Sequence, residues 1–312
     1  MEDRETKQDR ETRIDNIVAL LASLFDRSGD SIVWIGSGLS IGCGYPGWQE
    51  AIEQLCKACI PGKADVQPSS VADDLLEWAE RCKETNRVEY HKTLERIYGG
   101  PPHLIRTAYV RIGACPFRFL VTTNFDPCLE AVCGSNDPVI TYPNLALFRG
   151  THHTCVYLHG KARWGTEPKA DNLVLAKSDF AVAYSPGSSL LPGAVEQLLV
   201  SHRVLFVGCG LREPVLKQLF RRIKEMQESR TSIPLGKRII LLPDTKDEAR
   251  AEQEAEHMKS LGIEILRYPL NEDDGPHQPA NPHLMLDDVW ERVWLQLREK
   301  PDPFNQKGGL PS

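Results

Sequence analysis

The stretch "IVWIGSGLSIGCGYPGW", Ile32 to Trp48, decides how the rest of the chain is read. Four apolar residues, Ile32 to Ile35, run directly into Gly36-Ser37-Gly38, and a further glycine-rich turn closes on Trp48. A buried strand that ends on glycines and passes into a helix lets backbone N–H groups approach a pyrophosphate. The loop is not of the Walker type, because no Gly-Lys-Ser/Thr follows at the required distance. It also departs from G-x-G-x-x-G, since the third glycine is Gly42 and position 41 is Ile41. A tight strand-to-helix crossover with no ligand is the competing reading of the same residues.

Working outward, Ile14, Ile17, Val18, Leu20, Leu21, Leu24 and Phe25 recur at helical spacing and predict an amphipathic helix over 14–27. A helix is expected from Trp48 to Cys59, stopped by "PGK" at 61–63. Residues 61–115 are polar and helical without a strand signal, and read as a helical insertion beside the sheet. Solvated scaffold is the first expectation for it, and a lid or partner surface the second. Apolar strand-like runs then recur at 117–123, 154–160, 203–210, 237–243 and 264–269. Helical patterns separate the later ones, at 193–201, 213–228 and 245–261. This alternation predicts an α/β fold with a doubly wound, mostly parallel, Rossmann-like sheet. A final helix over 286–299 carries Val289, Trp290, Val293, Trp294 and Leu297, a stripe expected to dock on the core. The expected organisation is a charged segment and helix over 1–30, one domain over 31–300, and a disordered tail over 301–312.

Composition narrows the function classes. Hydrophobic residues make up 41% and charged residues 26%, with a formal net charge of -6. That balance argues against a generally basic nucleic-acid binder. No apolar run approaches the roughly 20 residues needed to span a bilayer, and the N-terminus has no apolar core of a secretion signal. Nine cysteines at irregular spacing suit reduced thiols in the cytoplasm better than a disulfide framework. The only Cys-x-x-Cys, Cys56 and Cys59, stands alone on a predicted helix and reads as buried packing, so no metal is expected.

In an open parallel sheet, ligands bind outside the carboxyl ends of the strands. Four predicted strands deliver glycines, small hydroxyls or single polar groups there. The first gives Gly36, Ser37 and Gly38, and the second gives Thr122, Thr123, Asn124 and Asp126. A third gives His159-Gly160, and the fourth gives Gly208, Cys209 and Gly210. Asn124 can hydrogen-bond a sugar or a water, and Asp126 can accept from a carboxamide N–H. Asp126 before Pro127 also reads as a helix cap. His159, between a strand and a glycine, can serve as a general base near neutral pH.

Taken in order, these segments resemble the sirtuin fold. Gly-Ser-Gly-Leu-Ser with Gly-Tyr-Pro-Gly-Trp is similar to that family's Gly-Ala-Gly-hydrophobic-Ser and Gly-Ile-Pro-Asp-Phe-Arg loop. "TTNFD" is similar to Thr-Gln-Asn-Ile-Asp, "LHG" to the catalytic His-Gly, and "GCGL" to Gly-Thr-Ser-Leu. The resemblance covers residues 30–60 and 116–270. It implies NAD as substrate, without a metal, and cleavage of the nicotinamide–ribose bond. Gly36, Ser37, Gly38 and Ser40 would surround the phosphates and adenosine side, and Trp48 would lie near the nicotinamide. Thr123 would bind NAD beside Asn124, which would order the ribose or a water. Asp126 would hold the carboxamide, His159 would be the base, and Gly208, Cys209 and Gly210 would contact the adenosine-side ribose.

Departures from the family shape the expected reaction. Protein-deacylating sirtuins carry a zinc module with two Cys-x-x-Cys pairs after the His-Gly strand, and here no cysteine lies between Gly160 and Arg203. Where they have Asp-Phe-Arg, this chain has Gly47-Trp48-Gln49. These features most resemble bacterial sirtuin-like NAD hydrolases of antiphage defence, with water replacing acyl-lysine. Such an enzyme must be silent until triggered. The resemblance therefore implies a homo-oligomer, or a separately encoded partner such as a translocase-type ATPase or an Argonaute-associated protein. The alternatives are a deacylase or ADP-ribosyltransferase completed by a partner chain, and a sensor that binds NAD or ADP-ribose without turnover. A nuclease ranks last, because no acidic cluster with metal-site spacing occurs.

Overall fold

The strands are β1 (Ser31–Ile35), β2 (Phe119–Thr122), β3 (Val139–Thr141), β4 (Thr154–Tyr157), β5 (Arg203–Val207), β6 (Arg238–Pro243) and β7 (Glu264–Tyr268). They form one sheet in the order β3-β4-β2-β1-β5-β6-β7, and every neighbouring pair is parallel. The computed structural model describes residues 7–24, 30–62, 68–145, 153–162, 172–229, 236–270 and 284–298.

β1 lies at the centre, and its side chains alternate between two cores as a pleated strand requires. Val33 and Ile35 face one core, with Leu120, Tyr157, Leu205 and Leu241 from neighbouring strands. Ile32 and Trp34 face the other, with Val121, Val156, Phe206 and Ile240. Both faces are buried, which is why the strands read as continuous apolar runs. The doubly wound parallel sheet is the architecture expected from the sequence.

The first face is covered by α1 (Lys7–Leu24), α3 (Trp48–Cys59), α5 (Arg87–Tyr98), α6 (Thr107–Gly113) and α12 (Leu284–Arg298). The second is covered by α9 (Leu191–Ser201), α10 (Pro214–Ser229) and α11 (Glu248–Ser260). On α10, Leu216, Phe220 and Ile223 are buried while Met226 at the far end is exposed. On α12, Val289, Trp290 and Val293 are fully buried. Burying an aromatic side chain of this size contributes roughly 2–3 kcal/mol. Trp294 is only partly buried, and the Arg111 guanidinium lies 3.9 Å from its ring centre. Asp287 fixes the approach of α12, pairing with buried Arg106 at 2.8 Å and accepting from the Ala108 N–H.

Between β1 and β2 the described residues form helices and turns without a strand, and α4 (Ala72–Thr85) packs against α3 and α5. Three elements escaped the sequence reading, β3, α2 (Ser37–Ile41) and α8 (Lys177–Ala183), while α7 (Cys128–Val132) follows the helix-cap reading of Asp126 and Pro127. All span seven residues or fewer, too short for periodicity to emerge. The cysteine expectation needs one correction, since Cys133 after α7 and Cys155 on β4 are joined as a disulfide. The other seven are buried thiols. Cys56 and Cys59 do pack in the core, and Cys82 of α4 meets Cys56 with 3.7 Å between sulfurs. The tail over 301–312 lies outside the described residues, as does the start of the 1–30 segment.

Candidate functional site

The sheet changes winding direction at β1, with β2 on one side and β5 on the other. At that switch point the strand ends open into a cleft of about 760 Å³ including its open mouth. Gly36, Ser37, Ser40, Trp48, Thr123, Asn124, Asp126, His159, Cys209 and Gly210 all line it. Of the residues singled out in the sequence, Gly38 and Gly208 do not.

Those two glycines have a different place. The Gly38 N–H donates to Gly208 C=O at 2.9 Å, and the Gly36 N–H donates to Val207 C=O at 2.9 Å. A Cβ on Gly36 would stand 2.4 Å from the Gly208 oxygen, and one on Gly208 would stand 2.5 Å from Leu39 N. Gly208 also adopts φ +66°, a conformation that disfavours side chains. The first glycine loop is therefore clamped onto the β5 loop, backbone to backbone. The Gly36 and Gly38 amides are thereby paired with the β5 loop, as a tight strand-to-helix crossover also requires.

The β2 end is built on a buried polar chain. Thr122 donates its hydroxyl to Ile35 C=O at 2.8 Å and accepts from the Asn124 N–H at 3.0 Å. The Asn124 amide Nδ2 donates to Ser40 Oγ at 3.0 Å, and Ser40 Oγ lies 2.8 Å from the Tyr109 hydroxyl. Nδ2 thus spends one of its two hydrogens on the protein, and Oδ1 has no protein partner among the described residues. Ser40 is fully enclosed and works as a hub beneath the cleft. Asp126 accepts from the Cys128 N–H at 3.0 Å, capping α7. Burial pushes the Asp126 carboxyl up, offset by hydrogen bonds from Ser40 and Cys128.

His159 follows β4, and Gly160 beyond it adopts φ +86° with Asn172 C=O 2.7 Å from any added Cβ. That turn directs the chain away and leaves the imidazole lining the cleft. His159 Nε2 lies 2.8 Å from the Tyr184 hydroxyl. Burial pulls the His159 pKa down to about 3, so the ring is neutral at physiological pH.

Several contributors were invisible in the sequence. Tyr98 of α5 enters the wall edge-on to Phe125, with ring centres 5.5 Å apart. Phe180 of α8 packs edge-on to His159 at 5.2 Å. Glu213, before α10, brings a half-buried carboxyl to the cleft, and burial pushes its pKa up. Gln49, by contrast, turns to Pro68 C=O at 3.0 Å and does not line the cleft. The Trp48 indole N–H is buried without an acceptor among the described residues. No group of three or more metal-ligating side chains occurs among the described residues.

Three strand ends of this cleft lie on one recognisable segment. Residues 118–266 match the SIR2-like domain family. The SIR2-like segment runs from the start of β2 to β7 and carries Asn124, His159 and the β5 loop. The glycine loop after β1 and helices α3 to α6 precede it. A curated protein of Bacillus subtilis, "Defense-associated sirtuin 2", is 20% identical over 228 residues, covering 68% of this chain. The aligned region is only 21% of that relative's length. Among solved structures, a Sir2 variant with a deacetylated p53 peptide and 3'-O-acetyl ADP-ribose aligns with a TM-score of 0.43 at 10% identity. That alignment covers 89% of this chain and 98% of the other.

Proposed function

We propose that this chain is an NAD glycohydrolase, which uses water to split the nicotinamide–ribose bond and releases nicotinamide and ADP-ribose. The observation that carries the reading is the pairing of Asn124 and His159 in one cleft at the sheet's switch point. Each offers a polar atom with no protein partner among the described residues. The SIR2-like segment supports NAD as the substrate class, and no metal is needed.

Losing nicotinamide leaves positive charge on the ribose, so acceptors that strengthen toward the charged sugar lower the barrier. Asn124 Oδ1 would accept from a ribose hydroxyl or the attacking water. A neutral His159 would take the proton released as the new C–O bond forms. Asp126 and the unpartnered Trp48 N–H would hold the nicotinamide carboxamide. Ser37, Thr123, Cys209 and Gly210 would contact the rest of the dinucleotide, with Gly36, Gly38 and Gly208 holding the two loops together.

The likeness to a defence-associated sirtuin supports a role in antiphage defence, through depletion of cytoplasmic NAD. No described helix is long and apolar enough to cross a membrane. Control would come from self-assembly or from a separate partner such as a translocase-type ATPase or an Argonaute-associated protein. The test is product analysis of NAD incubated with purified protein and with infected-cell lysate. Equimolar nicotinamide and ADP-ribose in solution is the expected result. ADP-ribose attached to protein, or deacylated lysine, would replace this reading with a transferase or deacylase.

A further inference from the structure

Tyr184 stands one residue beyond α8 and is buried, yet it does not line the cleft. Its ring stacks on Phe180 with centres 5.8 Å apart and planes within 8°. Both rings meet the His159 imidazole edge-on, at 83° and 79°. The Tyr184 oxygen, 2.8 Å from Nε2, is the polar contact of the imidazole. The other ring nitrogen, Nδ1, has no hydrogen-bond partner among the described residues.

We propose that Tyr184 is the positioning residue for His159, accepting a hydrogen bond from Nε2–H and so keeping Nδ1 bare for the substrate's proton. The inference rests on the hydrolase reading for what that proton is, but the tautomer itself is a property of the resting protein. A neutral imidazole carries one proton, and only its unprotonated nitrogen can act as a base. With Nε2–H held by Tyr184, a proton leaving a ribose hydroxyl or water arrives at Nδ1. The resulting imidazolium still donates to Tyr184, and no proton leaves the phenol.

The surroundings keep both partners uncharged at rest. Burial makes a charged His159 costly, and the phenol oxygen is the group placed to offset that cost. Burial, followed by the Glu213 charge, pushes the Tyr184 ionisation well above its ordinary range, so the phenol stays neutral. The position of Tyr184 is set by α8, which is tied to α4 through Lys83 and through the Ser178 N–H donated to Glu80 at 2.7 Å.

The test is Tyr184→Phe, which keeps the ring and removes the oxygen, with two independent readouts. In nicotinamide release, kcat should fall roughly tenfold to a hundredfold, as when an outer partner of a functional histidine is lost, with KM within about twofold. In protein labelled with ¹⁵N-histidine, the His159 signals, assigned against His159→Gln, should report Nε2–H in the wild type. They should show mixed tautomers in Tyr184→Phe. An Nδ1–H tautomer in the wild type, or unchanged kcat in Tyr184→Phe, overturns the proposal. If Tyr184→Phe does not fold, the wild-type tautomer still decides. The expected tautomer in a protein that never releases nicotinamide upholds the positioning of His159 and sinks the hydrolase reading instead.

Discussion

Lys83 on α4 pairs with Asp179 on α8, Nζ to Oδ1 at 2.5 Å, and so joins the helical stretch between β1 and β2 to the wall of the cleft. Asp179 also accepts from the Ala176 N–H at 2.8 Å, capping α8. Phe180, the next residue, packs on His159.

Lys83→Met keeps the Asp179 cap and removes only the bridge. The pair is mostly buried, so the loss should cost about 1–2 kcal/mol. Turnover should change through kcat as α8 loosens against His159. Denaturant unfolding and steady-state kinetics check both, and an unchanged kcat would separate α4 from the site.

Gly36→Ala should lower stability by about 2 kcal/mol, because its Cβ meets backbone that cannot rotate away. Calorimetry should then show a midpoint lower by roughly 5 °C, with NAD binding weakened as the two loops part. Gly187→Ala is not a matched control, since Gly187 has φ +79°. Gly193→Ala is one, as nothing lies within 4 Å of its added Cβ; within α9 it should raise the midpoint slightly or leave it unchanged, and it should leave NAD binding unchanged.

His159 also predicts a pH dependence of stability. Its folded pKa, about 3, lies below the ordinary unfolded value of about 6.5. The unfolded chain therefore binds a proton first, and stability falls as pH drops from about 6.5 toward 3. Asp126 acts in the opposite sense, since its raised folded pKa makes stability fall as pH rises above the unfolded carboxylate value. Comparing the wild type with His159→Gln isolates the histidine, because Asp126 is common to both. The wild type should lose more stability than the variant on acidification, and parallel curves would contradict a neutral, buried His159.

The sheet was legible because both its faces are covered. Ile32–Ile35, Phe119–Val121 and Val204–Val207 are apolar on both sides of the pleat, and each ends where a glycine or small hydroxyl stops the run. Of the cleft's lining, the residues legible in the sequence are those at strand ends, such as Asn124 and His159. Tyr184, Phe180 and Glu213 lie in or beside helices whose local pattern is that of ordinary packing, and only the fold brings Phe180 and Glu213 to the cleft and Tyr184 to His159. The loop-to-loop contact of Gly36 and Gly38 was hidden for a related reason. A glycine needed for contact with a second loop carries the same sequence signal as one needed for contact with a phosphate.

Nicotinamide release from NAD by the wild type, Asn124→Ala and His159→Ala, measured across protein concentrations and with phage-infected lysate, tests the hydrolase most directly. The wild type should turn over NAD, with a concentration or lysate threshold. Each variant should be slower by about a hundredfold or more while still binding NAD. NAD binding without turnover under every condition would contradict the hydrolase and leave a sensor. Equal turnover by all three proteins would place the chemistry elsewhere than Asn124 and His159.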